Sequence, residues 1–352
     1  MKIISKVLII AVLLILVSCK EANDSKISFQ NEFIIKGENF NEVFTLSDSI
    51  QLEYSDSVLL NIPTSVLISN NKIIWSEYNP PFYVFNMKGE CIKKIGVKGR
   101  GPNELMSIRL IVAGSRSDYY IFDSNGMKVL VLDNNYQPRK QFPLKQIGFK
   151  KLTVDNSGNI YTLSDDAYMG DATSVIQYDS NGNKISEWKT NSIGSIFQRY
   201  LKGGGICHDK NNNIYYSFMG DYRIWRIKDG KAEEISDERP PFFIEIDKDK
   251  LKKMSQREVI KYHFNVSRVI GLYYLDPGFI LQQVATPGNK YRSSIYYLII
   301  RSLDGKILKV LRNKIPMVSS FKNKIILIEN PVNETSNPTV KIYGINYEKV
   351  EK

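Results

Sequence analysis

From about residue 43 to residue 347 the chain repeats one pattern of apolar and polar positions. An apolar strand is followed by a polar turn rich in Asn, Asp, Ser and Gly, then an alternating strand with aromatics, a loop, a further strand, and a Gly or Asn turn. The turn-plus-strand element is clearest in Asn70-Asn71-Lys72-Ile73-Ile74-Trp75, Ser117-Asp118-Tyr119-Tyr120-Ile121-Phe122 and Ser157-Gly158-Asn159-Ile160-Tyr161-Thr162. It returns in Asn212-Asn213-Ile214-Tyr215-Tyr216, Asp276-Pro277-Gly278-Phe279-Ile280-Leu281 and Lys322-Asn323-Lys324-Ile325-Ile326-Leu327, which makes six copies. Each leads to a second strand, such as Lys128 to Leu132 or Val175 to Tyr178. In the first five a short turn follows, such as Asp179-Ser180-Asn181-Gly182-Asn183 or Lys228-Asp229-Gly230. Asn-Gly and Asp-Gly pairs supply the positive φ angles of tight hairpins, so the strands form antiparallel meanders.

Six four-stranded units of roughly 40 to 65 residues predict an all-β chain, a six-bladed β-propeller. Closing the ring removes the edges that a flat row of sheets would leave open. The segment Val43 to Tyr54, with Phe44, Leu46, Ile50 and Leu52, is expected to complete the last blade and clasp the chain ends together. A seven-bladed ring with one degraded blade and a stacked β-sandwich pair are the alternatives. One stretch breaks the pattern between blades 4 and 5. From Asp247 to Phe264, Leu251, Met254, Val259 and Tyr262 fall near helical spacing, with Asp249 as a candidate cap. Together with Pro240-Pro241-Phe242-Phe243 this predicts a small helical insertion over about residues 240–264, on the rim of the ring in preference to its mouth.

The start of the chain reads differently. Lys2 and Lys6 precede an apolar run from Val7 to Val17, then Ser18 and Cys19. Basic, apolar and small-residue segments in that order describe a secretory signal peptide, and the run falls short of the roughly 20 residues of a membrane span. Leu16-Val17-Ser18-Cys19 resembles the lipobox of bacterial lipoproteins, in which the cysteine becomes the acylated N-terminus. Residues 1–18 are therefore expected to be a signal peptide and 19–42 a lipidated Cys19 with a polar tether, ahead of a propeller over 43–347. An uncleaved anchor helix is the alternative. The expected address is the outer membrane, on its periplasmic or cell-surface side.

The formal charge of +11 falls by two once residues 1–18, with Lys2 and Lys6 and no acid, are removed. Lysines and arginines alternate with acids along the chain, so nucleic acid is not an expected partner. Besides Cys19 there are Cys91 and Cys207. The repeat puts them on opposite sides of the ring, beyond disulfide reach, so free thiols are expected.

The segment from Tyr120 to Asp133 resembles an NHL-type propeller repeat, in which a strand ends in Asp, passes a short turn with Asn, and continues through a basic residue. Val154 to Tyr161 matches the preceding part of that repeat. The linker Gly96-Val97-Lys98-Gly99-Arg100-Gly101-Pro102-Asn103-Glu104-Leu105 is similar to the inter-blade loop Gly-x-Gly-Pro-Gly-Glu-Phe, with Asn103 and Leu105 replacing Gly and Phe. With the lipobox, the chain resembles the six-bladed β-propeller lipoproteins. The resemblance implies fold and address and little chemistry. NHL-type lyases place His clusters around a metal in the channel, whereas this chain has only His208 and His263.

No His and Cys spacing suits a transition metal. Asp179 to Asn183 and Asp209 to Asn213 carry oxygen ligands at alternate positions. They lack the glycine and late glutamate of an EF-hand, and turn chemistry explains them. No cofactor is expected, and structural or channel calcium is the alternative. Asp123, Asp165 and Asp221 each follow the second strand of a blade and are the candidate catalytic carboxylates, set against a role as turn caps. Aromatic and arginine residues on loops suit peptides, sugars or anions. Arg100, Arg199, Tyr200, His208, Tyr222 and Arg223 are the candidate ligand-binding residues, with Tyr78, Phe82, Tyr291 and Arg292 beside them. The expected role is a monomeric binding or scaffold module for a protein, peptide or glycan, with a channel hydrolase or lyase as the rival.

Overall fold

The computed structural model describes residues 38–55, 57–114, 117–144, 151–165, 173–190, 203–288, 293–313, 315–329 and 337–350. Its sheets are six, each an antiparallel meander running outward from the centre. Blade 1 is Ser65–Ser69, Lys72–Ser76, Phe82–Asn86 and Cys91–Ile95. Blade 2 is Leu110–Ala113, Tyr119–Asp123, Lys128–Leu132 and Pro138–Pro143. Blade 3 is Lys151–Val154, Ile160–Asp165, Thr173–Tyr178 and Lys184–Thr190. Blade 4 is Gly205–His208, Ile214–Ser217, Ile224–Lys228 and Lys231–Ser236. Blade 5 is Arg268–Leu275, Phe279–Pro287, Ser294–Ser302 and Ile307–Asn313. Blade 6 takes Met317–Phe321, Lys324–Glu329 and Thr339–Ile345 from the C-terminal end, and its outer strand, Phe44–Gln51, from the N-terminal end. That outer strand pairs from Phe44 opposite Ile345 to Gln51 opposite Thr339 and closes the ring.

The outermost strand of each antiparallel meander is its most exposed. In blade 1 the second strand buries Ile73, Ile74 and Trp75, whereas the outer strand exposes Ile92, Lys93 and Lys94. Each seam between blades is a separate hydrophobic wedge. Trp75 and Phe85 meet Ile326 and Ile342 between blades 1 and 6, Val84 meets Ile121 and Leu130 between 1 and 2, and Leu281 and Leu298 meet Ile325 and Leu327 between 5 and 6.

A second set of contacts ties the outer rims. The outer strand of one blade holds the last turn of the next: Lys93 Nζ donates to Asn135 O at 3.0 Å, Lys140 Nζ to Ser180 O, and Trp188 Nε1 to Gly230 O at 3.0 Å. Glu53 N, just past the outer strand of blade 6, donates to Gly89 O at 2.8 Å. The seam between blades 5 and 6 is made otherwise. Glu38–Asn39 adds a parallel fifth strand to blade 5, opposite Leu311 and Arg312, and the helical turn Phe40–Val43 then accepts Asn346 N on Val43 O at 2.7 Å.

The five-residue turns repeat one hydrogen-bond scheme. In Asp155, Asp179 and Asp209 the Oδ1 accepts the amides two and four residues on, and Oδ2 accepts the Asn side chain at the fourth. These loops present N–H donors to both carboxylate oxygens, which is turn geometry. Cys91 and Cys207 are free thiols in blades 1 and 4.

The insertion is two short helices, Lys248–Lys252 and Gln256–Tyr262, where the sequence suggests one helical stretch. Its cap is Asp247, which accepts Asp249 N and Lys250 N, and not Asp249. Ser255 and Glu258 form a capping box that starts the second helix. Leu251 and Val259 pack on Met219 in the turn after the second strand of blade 4.

Candidate functional site

Each innermost strand begins on one side of the ring, here the leading face, and ends on the other, the trailing face. Between them runs a channel of about 440 Å³ walled by all six innermost strands. Among the described residues its charged or titratable lining includes Lys151, His208 and Lys322 and no carboxylate, and no insertion residue contributes. His208 Nδ1 lies 2.9 Å from Thr153 Oγ1. Burial pulls the His208 pKa below its ordinary 6.5, against the opposing pull of Asp155 and Asp209. The ring is therefore neutral near pH 7. Beside it, burial pushes the Cys207 thiol far up, so it is no thiolate. One neutral imidazole with a hydroxyl partner is a weak base without an acid to work with.

The candidate carboxylates sit on the leading face, and the two whose side chains are described are fully occupied. Asp123 is 0% exposed and accepts four donors: Met106 N at 2.8 Å, Ser107 N at 3.0 Å, Ser107 Oγ at 3.1 Å and Gly126 N at 2.8 Å. It pins the linker from blade 1 onto blade 2. Asp221 accepts Arg223 N at 3.0 Å and Arg223 Nε at 2.9 Å. The Asp165 side chain lies outside the described residues.

Arg223 is not an open recognition group. It pairs with Asp221, reaches Glu234 at 3.2 Å and stacks over Trp225 at 4.9 Å, and Asp221 raises its pKa further. Tyr222 packs edge-on against Phe243 at 5.4 Å. Arg100 is exposed but does not line the channel. It borders a separate leading-face pocket of about 240 Å³ with Asp123, Asn125 and Lys128. Tyr78 reaches the same area, donating to Asn125 Oδ1 at 3.2 Å. Arg199, Tyr200, Tyr291, Arg292 and Cys19 lie outside the described residues. The structure thus gathers Arg100, Asp123, Tyr78, Tyr222 and Arg223 on one face and sets His208 toward the opposite end of the channel.

Sequence reasoning passed over a buried polar joint between blades 4 and 5. Arg301 is 0% exposed and donates to Ser236 Oγ and Gly305 O at 2.8 Å, and to Gln282 Oε1 and Glu238 O at 3.2 Å. Burial lowers its pKa to about 10. Gln282 in turn donates to Tyr222 O at 3.0 Å, which ties the joint to the leading face. The available signal was a lone arginine at the end of the apolar run Leu298-Ile299-Ile300, ahead of the turn.

A family profile described as a 6-bladed beta-propeller matches residues 18–296. Among curated proteins none matches the chain. Of solved structures, a Bacteroides fragilis protein designated as exported shares 14% identity and a TM-score of 0.65, over 88% of this chain and 97% of its own. A DUF4221-family protein from Bacteroides vulgatus shares 10% identity and a TM-score of 0.60, over 86% and 97%. Virginiamycin B lyase from Staphylococcus aureus, at 9% identity over 86% of this chain and all of its own, reaches a TM-score of 0.48, too distant to bear on chemistry. These likenesses are likenesses of fold.

Proposed function

The chain belongs to DUF5128, a family of 6-bladed beta-propellers, and on that premise we propose that it is a lipid-anchored, extracytoplasmic binding module that performs no bond chemistry. The observation that carries this reading is the state of the carboxylates. Asp123 and Asp221 are saturated by internal donors, and among the described residues the channel lining contains no acid to pair with His208. Acid-base catalysis needs a group free to exchange a proton with substrate. A leading face with Arg100, Tyr78 and Tyr222 suits recognition of a peptide or glycan instead. The address rests on the Leu16-Val17-Ser18-Cys19 sequence, and the exported designation of the Bacteroides fragilis relative agrees with it.

Two measurements test the two halves. Cell fractionation should find the protein in the membrane, with an N-terminal peptide carrying the mass of acyl chains on Cys19, and should find Cys19→Ser released or unprocessed. An unmodified Cys19 in the membrane form would remove the anchor. Proton NMR of peptide and oligosaccharide panels with the purified protein should show saturation transfer and no new resonances over a day. Product signals that grow with time and need the protein would overturn the non-catalytic reading.

A further inference from the structure

The linker that carries Arg100 is built more rigidly than a surface loop requires. Gly101 N donates to Glu104 Oε2 at 2.7 Å, Glu104 N to Gly101 O at 3.2 Å, and Gly99 N to Leu105 O at 3.2 Å, with Leu105 itself fully buried. A Cβ on Gly99 would stand 2.0 Å from Glu104 Oε2, and one on Gly101 would stand 2.9 Å from the same carboxylate. Glycines therefore let the loop wrap Glu104, and Arg100 is held at the crest between them.

Lys128 borders the same pocket, and among the described residues its Nζ has only neutral acceptors, Gln141 Oε1 at 3.2 Å and Gly101 O at 3.5 Å. Among the described residues neither Arg100 nor Lys128 forms an ion pair. The acid in the pocket wall, Asp123, is turned to four donors of its own. Asn125 Oδ1 takes the Tyr78 hydroxyl, which leaves its Nδ2 as a further donor. Two cations and an amide thus border about 240 Å³ of space whose acid is already satisfied.

We propose that this pocket binds a single oxyanion, a carboxylate or phosphate group, between Arg100 and Lys128. A guanidinium and an ammonium bordering one pocket can both bond the oxygens of an oxyanion, and charge-assisted bonds of this kind are the stronger ones. The exposed Tyr78 ring beside Asn125 leaves room for the body of a ligand that carries the anion. The proposal names ligand chemistry for the binding reading above and rests on it.

The test titrates full-length protein in detergent micelles at constant ionic strength with inorganic phosphate, glucuronate and, as a neutral control, glucose. Amide shifts are followed by NMR. Saturable shifts confined to Gly99, Gly101, Asn125 and Gly126 are expected with phosphate, glucuronate or both, and none with glucose. A response to phosphate alone identifies the free ion as the ligand type, and one to glucuronate alone an acidic sugar. Arg100→Gln and Lys128→Gln should each weaken binding about tenfold, while Lys231→Gln, an equal charge loss on the outer strand of blade 4, should leave it unchanged. Shifts that never saturate, that spread over exposed lysines, or that fall equally in Lys231→Gln overturn the inference, as does silence up to roughly 50 mM, weaker than the millimolar end of specific binding. Saccharide or peptide signals elsewhere would then keep the wider binding reading intact, whereas turnover would sink both.

Discussion

Replacing Arg301 with alanine should lower stability by about 3 kcal/mol or more, a drop of roughly 6 °C in the unfolding midpoint. The expectation follows from what the guanidinium leaves behind. Ser236 Oγ, Gln282 Oε1, Gly305 O and Glu238 O all lose a donor, and the first three of these bonds are buried. An unmade buried hydrogen bond costs more than a made one contributes, and a cavity is added where a long side chain stood. Arg301→Lys should recover only part of the loss, because a point ammonium does not span acceptors arranged around a planar fork. Thermal unfolding followed by circular dichroism checks both variants. A loss below about 1 kcal/mol would mean that water enters the seam and serves the four acceptors.

Gly89→Ala should cost about 3 kcal/mol, and Gly230→Ala about 1 kcal/mol, although both glycines sit in the turn that leads into a blade's outer strand. Each has positive φ, +87° and +73° respectively, so each alanine suffers the left-handed strain of an L residue. The difference lies in the surroundings. A Cβ on Gly89 would stand 1.9 Å from the backbone oxygen of Gln51, whereas one on Gly230 meets nothing within 4 Å. The alanine must push away the end of the closing strand, together with the Glu53 N to Gly89 O bond and the Glu53 carboxylate that holds Cys91 N at 2.8 Å. Urea unfolding of the pair separates strain from collision. Equal losses would show that the closing strand yields freely at this point.

The fold was legible because its punctuation is local. A turn such as Asp155 to Asn159 is decided by bonds within five residues, so its recurrence at Asp179 and Asp209 can be read without knowing any tertiary contact. The closing strand was legible too, since Phe44 and Ile50 offer an apolar face with no other blade to join. Asp123 was readable as a cap or a catalyst and nothing more. Its oxygens are filled by Met106 and Ser107, which arrive through the linker from the previous blade, and no local pattern announces that meeting. Arg223 looked like a recognition residue for the same reason: Asp221 and Trp225 are near in sequence, but Glu234 becomes a neighbour only when the sheet pairs. Conversely, Lys128 and Asn125 sat in a plain hairpin loop and became notable only once the linker placed Arg100 across from them. The insertion shows the limit at small scale, where a Ser255 to Glu258 capping box marked a helix start that apolar spacing alone had blurred.

Four of the rims are held through the ring's own turns and the seam between blades 4 and 5 through Arg301, whereas the remaining one is sealed by Glu38–Asn39 and the turn Phe40–Val43. Among the described residues, those are also the first to receive any mechanical load that comes along the chain from its N-terminal side. Tension on residue 38 acts on a two-residue pairing and can peel it one bond at a time, a weaker arrangement than a strand loaded in shear. Behind it, Phe40, Val43 and Phe44 anchor in the wedge between blades 5 and 6. A protein pulled from this end would thus give way first at that seam, with the closing strand of blade 6 next in line, and its other five wedges would be spared until the ring had opened.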